Sequence, residues 1–137
     1  VGSGRRANNS NSCATSQWER LAKISMVREG CAATACNNGL YIIGGRDENG
    51  KSLRSVECLR GLRGGSSRPK WASVPHMPTP RYDCCAVTIG DNVFVLGGSN
   101  GHEALSTVLM FNTRTRMWND GLSMPQRRSR FAAVSWE

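Results

Sequence analysis

Short apolar runs alternate with polar, glycine-rich intervals along the chain, and long aliphatic runs are few, a pattern that fits strands and turns better than helices. The run Cys31 to Cys36 is followed by Asn37-Asn38-Gly39 and then by Leu40-Tyr41-Ile42-Ile43. Cys84 to Ile89 is followed in the same way by Gly90-Asp91-Asn92 and by Val93-Phe94-Val95-Leu96. Asn, Asp and Gly tolerate the positive φ of tight turns, so each pair of runs predicts a β-hairpin of strands a and b. The pairs Gly44-Gly45 and Gly97-Gly98 then end strand b where the backbone must turn or approach another chain segment closely. Polar loops, 46–52 and 99–104, lead into a third run, Leu53 to Leu59 and Leu105 to Phe111, with Val56 matching Val108. A fourth run starts at Trp71 in one copy and at Trp118 in the other.

These units repeat. Trp18, Trp71 and Trp118 are each followed after six residues by Ile24, Met77 or Met124, and after ten by Arg28, Arg81 or Arg128. The tryptophans are spaced by 53 and 47 residues. Most of that difference falls in the Gly- and Arg-rich segment Arg60 to Arg68, where a surface loop lengthens at little cost. Four strands per period of about fifty residues, with glycine pairs and tryptophans in fixed places, predict propeller blades. Strand a is made of small residues, Cys31-Ala32-Ala33, Cys84-Cys85-Ala86 and Ala132-Ala133-Val134, as an innermost strand near a central axis requires, which leaves the tryptophans to the rim.

The series W-x9-R-x4-A, a turn, h-Y/F-h-h-G-G, a polar loop and Leu-x-x-Val resembles the kelch repeat. Gly97-Gly98-Ser99-Asn100-Gly101, Leu105-Ser106-Thr107-Val108, Phe111-Asn112 and Trp118 to Met124 are similar to the kelch-like proteins that carry a BTB domain. Two departures stand out: the acidic residue after the valine of strand c is present as Glu57 but is Leu109 in the next copy, and the usual Tyr-Asp is Leu59-Arg60 and Phe111-Asn112. The expected fold is all-β, a partial kelch β-propeller of about two complete four-stranded blades plus flanking strands. A disordered polar segment is expected over 1–16 and the partial propeller over 17–137, with an outer strand at 18–24, blades at 28–77 and 81–124, and the inner strand of a further blade at 128–137. Rings need at least four blades, so this stretch is expected to be part of a larger one, as its opening at Val1 also suggests.

Charge and chemistry narrow the function. The net charge is +8, but the arginines are scattered through turns without interleaved stacking aromatics, which argues against nucleic acid. No stretch is apolar enough to cross a bilayer as a helix. The six cysteines lack C-x-x-C spacing and read as reduced small hydrophobes, which with no readable signal sequence places the chain in the cytoplasm. His76 and His102 are the only histidines and lie in different loops, too few ligands for a metal site. Tyr41 and Tyr82 offer material for a copper oxidase of the kelch fold, but Tyr41 occupies the aromatic core position matched by Phe94. No nucleophile and base pair is recognisable, so neither catalysis nor a cofactor is expected.

The resemblance implies that loops d–a and b–c line one mouth of the ring, where partner peptides dock. Carried over residue by residue, it nominates Arg28, Arg81 and Arg128, then Arg46, Asp47, Glu48 and Asn49, then Ser99, Asn100, His102 and Glu103; Arg127 and Arg130 join them as arginines that do not recur. An arginine's planar fork suits an acidic protein or peptide ligand. The alternative for the recurring arginines is architectural, a tie between adjacent blades through backbone carbonyls. The function so implied is protein interaction, in particular substrate recognition for a cullin-RING ubiquitin ligase through a BTB domain outside this stretch, with an actin-binding scaffold as the alternative.

Overall fold

The computed structural model describes residues 18, 20–61 and 68–136. The expected disordered segment at 1–16 and the centre of the Arg60 to Arg68 loop lie outside the described residues. Among the described residues eight strands form two four-stranded antiparallel sheets in sequential order. Blade 1 comprises β1 (Ala32–Cys36), β2 (Gly39–Ile43), β3 (Val56–Arg60) and β4 (Lys70–Val74). Blade 2 comprises β5 (Cys85–Ile89), β6 (Asn92–Leu96), β7 (Val108–Asn112) and β8 (Met117–Asp120). The small-residue strands β1 and β5 are the elements through which the sheets meet, and the tryptophan strands β4 and β8 lie at the opposite edges. Among the described residues no helix is long and apolar enough to cross a membrane.

The hairpins are tighter than expected by one residue. Asn37 and Asn38 both take positive φ, and Gly39 already pairs with Cys36. In blade 2 Gly90 alone of the two loop residues has positive φ, and Asn92 pairs with Ile89. Both are two-residue loops whose twist matches that of the strands.

The glycine pairs lock the sheets together. Gly44 and Gly45 have φ of 62° and 100°, Gly97 and Gly98 of 54° and 88°. A Cβ on Gly98 would sit 2.6 Å from the Tyr82 carbonyl oxygen, and one on Gly97 2.5 Å from that of Arg128. That closeness permits the bonds between blades: Gly45 N–H donates to Arg81 C=O at 2.8 Å and Arg81 N–H to Leu53 C=O at 3.0 Å, while Met77 N–H donates to Arg54 C=O at 2.9 Å within blade 1. One blade further on, Gly98 donates to Arg128 at 2.8 Å, Arg128 to Leu105 at 3.0 Å and Met124 to Ser106 at 2.8 Å. At the rim, the indole of Trp71 donates to Ala22 C=O at 2.8 Å and that of Trp118 to Pro75 C=O at 2.7 Å. One apolar cluster runs through both sheets and includes Tyr41, Ile43, Val56, Met77, Val93, Val95, Leu109 and Phe111, with Trp118 packed against it.

Two expectations need correction. Among the described residues neither 20–24 nor 131–136 forms a strand, because a strand needs a ladder partner and neither segment is paired in one. Residues 20–28 instead follow the edge of blade 1 through Ala22 and Ser25, whose N–H and hydroxyl donate to Glu57. Trp18, Leu21, Met26 and Val27 are exposed at one end of the pair of blades, and Leu122, Val134 and Trp136 at the other.

Candidate functional site

Each blade begins with a residue in the left-handed region: Gly30, Asp83 and Arg130, with φ of 61°, 53° and 56°. These positions, two beyond each recurring arginine, form a stair. Asp83 N–H donates to Gly30 C=O at 2.7 Å, and Arg130 N–H to Asp83 C=O at 2.9 Å. Asp83 lays its carboxylate where a side chain on Gly30 would be, and Arg130 Nε donates to that carboxylate at 2.9 Å. Asp and Arg in a conformation that favours glycine mark a place where side chains are held against local strain.

The recurring arginines do not share one environment. Arg28 and Arg81 are turned inward, which removes their guanidinium groups from the mouth surface. Arg28 donates to Gly44 C=O at 3.0 Å, to Ser55 C=O at 3.2 Å and to Glu57 at 2.9 Å. Arg81 donates to Gly97 C=O at 3.1 Å and Thr107 C=O at 2.8 Å, while its own main chain is bonded to blade 1. Arg81 therefore joins the two blades, main chain to one and side chain to the other. Arg128 repeats only the main-chain half of this tie, and its side chain is exposed.

The b–c loops are shaped by their own side chains. Asp47 accepts the N–H groups of Asn49 at 3.0 Å and Lys51 at 2.9 Å, leaving Glu48 and Asn49 exposed. Asn100 accepts those of His102 at 2.9 Å and Glu103 at 3.0 Å, and Ser99 that of Gly101 at 3.2 Å. Such turns fix the loop without help from a ligand. Arg46 pairs with Glu29 at 2.8 Å and lies 4.5 Å over the Tyr82 ring, so it spans from one blade to the next. Arg127 pairs with Glu103. The structure thus gathers Arg46, Asp47, Glu48 and Asn49 on blade 1, and Ser99, Asn100, His102, Glu103 and Arg127 on blade 2, around one mouth with Arg130.

Cavities open there, one of about 180 Å³ between Met26, Asp47, Glu48 and Asn49. One of about 280 Å³ lies on blade 1 between Val27, Glu29, Arg46, Asp47 and Glu48. One of about 350 Å³ lies on blade 2 between Thr79, Pro80, Asn100, His102, Leu105 and Thr107. Sequence reasoning missed Thr79, Tyr82, Asp83 and Thr107; the last three follow from position, being one and two beyond the recurring arginine or just before the strand c valine. Tyr41 is 2% exposed in the core, where burial pushes its phenol up to about 12. Burial likewise pushes the Cys84 thiol up to about 12, so that side chain stays a neutral packing group.

Comparison with known proteins agrees with this architecture. The KLHDC2/KLHL20/DRC7 Kelch-repeats domain model matches residues 7–136. An F-box/kelch-repeat protein of Arabidopsis thaliana is 27% identical over 112 residues, covering 78% of this chain and 28% of that protein. Alpha-scruin of Limulus polyphemus is 29% identical over 113 residues, with 79% and 12% covered. Kelch repeat protein C2 of Vaccinia virus is 28% identical over 127 residues, with 90% and 23% covered. The chain thus spans less than a third of the length of each of these relatives. The solved structure of YjhT matches with a TM-score of 0.66 at 18% identity, covering 80% of this chain and 32% of that one, a likeness of fold. With two successive four-stranded blades, their glycine-pair locks and a family model that takes in nearly every residue, the chain belongs to the kelch-repeat family.

Proposed function

We propose that the mouth formed by the d–a and b–c loops is the docking face of a protein-interaction module that recognises an acidic segment of its partner in a reducing, cytoplasmic setting. The observation that carries this reading is the division of labour in each blade: glycine pairs, buried arginines and tryptophans hold the sheets, while the side chains that differ between blades collect at one mouth. Arg127 and Arg130 are exposed there, each paired with a single carboxylate, and surface pairs of that kind open readily to an incoming acidic group. Substrate recognition for a cullin-RING ubiquitin ligase, through a BTB domain elsewhere in the protein, is the specific role we assign to it. The name of the Arabidopsis relative couples kelch repeats to an F-box, so repeats of this type occur in chains with a second module.

The test is peptide selection against the chain, followed by Arg127→Glu and Arg130→Glu variants. Selected peptides should be acidic and lose at least tenfold in affinity to either variant, with an unchanged melting curve. Affinity indifferent to both variants overturns the reading. A scaffold on actin filaments is the second reading, favoured by the net charge of +8; co-sedimentation with filaments that survives these variants would establish it instead.

A further inference from the structure

Strands a and c descend from the mouth and strands b and d climb back to it, so the a–b turns and the c–d loops meet at the opposite end of the blades. That end has its own charge. Arg60 and Lys70 face each other across one end of the β3–β4 ladder, Arg68 lies just before Lys70, and Arg114 and Arg116 lie in the turn between β7 and β8. All five are exposed. Among the described residues only the carboxylate of Asp91 shares this end, and Arg114 pairs with it. The β3–β4 loop holds no acidic residue from 61 to 69. The other described carboxylates lie in the mouth loops, as Glu29, Asp47, Glu48, Asp83 and Glu103 do, or on the mouth half of a strand, as Glu57 and Asp120 do. Arg60, Arg68, Lys70 and Arg116 accordingly have no ion pair among the described residues.

This face is built before any partner arrives. Asn37 Nδ2 donates to Asp91 Oδ1 at 2.9 Å and to Thr113 Oγ1 at 2.8 Å, which ties the a–b turn of blade 1 to both turns of blade 2. Asn112 Oδ1 accepts the N–H groups of Arg114 at 3.0 Å and Thr115 at 2.9 Å, and Arg116 N–H closes the turn on Asn112 C=O at 2.8 Å. Arg116 is held there at a φ of 60°, where few side chains other than glycine settle. The cations thus stand on fixed turns and strand ends spread across two blades.

The neighbouring aromatic rings are occupied: Tyr41 and Phe111 are buried, Trp118 packs against the core, and the Trp71 indole is bonded to Ala22. Single strands of nucleic acid, which need rings to stack on, are disfavoured. Met117, next to Arg116, is 60% exposed and sets an apolar side chain among the charged ones. Long basic side chains around an exposed apolar one suit a headgroup layer, where the charges meet lipid phosphates and carboxylates and the apolar tip enters the acyl boundary. We propose that the end of the blades bearing Arg60, Arg68, Lys70, Arg114 and Arg116 rests on an anionic bilayer surface, with the mouth turned away from it. Attachment at this end is independent of what the mouth binds.

The experiment is co-sedimentation of the full chain with phosphatidylcholine vesicles, with and without about one third phosphatidylserine. The chain should pellet with the anionic vesicles and not with the neutral ones, and added salt should release it. Arg60→Glu combined with Arg116→Glu should weaken partitioning at least tenfold. Lys51→Glu combined with Arg54→Glu makes the same change of net charge beside the mouth. A strand's length separates that pair from the bilayer, more than a screening length, so it should alter partitioning by less than about twofold. If the first pair fails to fold, Arg68→Glu combined with Lys70→Glu decides in its place. Equal binding to both kinds of vesicle, or an equal loss in the two pairs of variants, overturns the proposal. Tighter capture by a DNA duplex or by polyglutamate at the same salt overturns it too, and names a nucleic acid or an acidic protein as the occupant.

Discussion

Blade 1 and blade 2 have the same strand order, the same glycine-pair lock and the same arginine clamp on strands b and c, yet blade 1 sets a carboxylate directly against its buried guanidinium and blade 2 sets two hydroxyls there. Three positions change together: Ser25 against Pro78, Ser55 against Thr107, and Glu57 against Leu109. The arginine's bonds to carbonyl oxygens are kept in both, because they hold the sheet, while the group that balances its charge is free to vary. Architecture in this molecule is therefore carried by hydrogen bonds to the main chain, and individuality by the side chains placed around them.

The comparison can be broken first at what the blades share. Gly98→Val would put Cβ 2.6 Å from the Tyr82 carbonyl oxygen at a φ of +88°, and should cost more than about 4 kcal/mol in a denaturant titration. Gly45→Val meets the Glu29 carbonyl oxygen at 2.7 Å and should do the same to blade 1; a mild effect at either would show that the locks are not equivalent. Next comes the difference itself. Glu57→Leu gives blade 1 the blade 2 residue without the two threonines of blade 2, and should destabilise by about 3 kcal/mol, as removal of one partner of a buried pair does. Adding Arg28→Met should recover most of that loss, and a single-variant loss below about 1 kcal/mol would deny the ion pair its role. Trp118→Phe removes the bond to the Pro75 carbonyl between the blades and should cost about 1 kcal/mol by thermal melting. Trp71→Phe should cost less, since its acceptor Ala22 lies in an exposed segment.

The smallest effect concerns the turn side of the same interface. Asn37 and Arg114 hold the Asp91 carboxyl below the usual carboxylate range, by hydrogen bonds from each. A lowered folded-state pKa adds stability that is present above the unfolded value and is lost as pH falls through the folded one. The Asn37 side-chain amide signal should accordingly hold its position on acidification until below the usual aspartate range and then shift. A transition at the ordinary value would mean that this bond does not form in solution.

Much of the scaffold was legible in the chain. Residues that recur in the same order between the tryptophans, namely the glycine pairs, Met77 and Met124, and Val56 and Val108, take equivalent places because each is dictated by its own blade. The flanking strands expected at 18–24 and 131–136 do not appear among the described residues, because a strand is a property of two segments and these make no ladder. The mouth was legible as a set of loops but not as a set of contacts. Nothing in the order of residues says that Arg130 lies beside Asp83, or that Arg46 covers Tyr82 from another blade.

The sequence by itself determined that these are kelch blades, because turn glycines, small inner strands and rim tryptophans act locally and repeat in register. Only the tertiary structure decided which of the recurring arginines are buried and which of those meets a carboxylate directly. That depends on distances between side chains many residues apart, 29 in the case of Arg28 and Glu57, and on the exclusion of water around them, which no single segment of the chain controls.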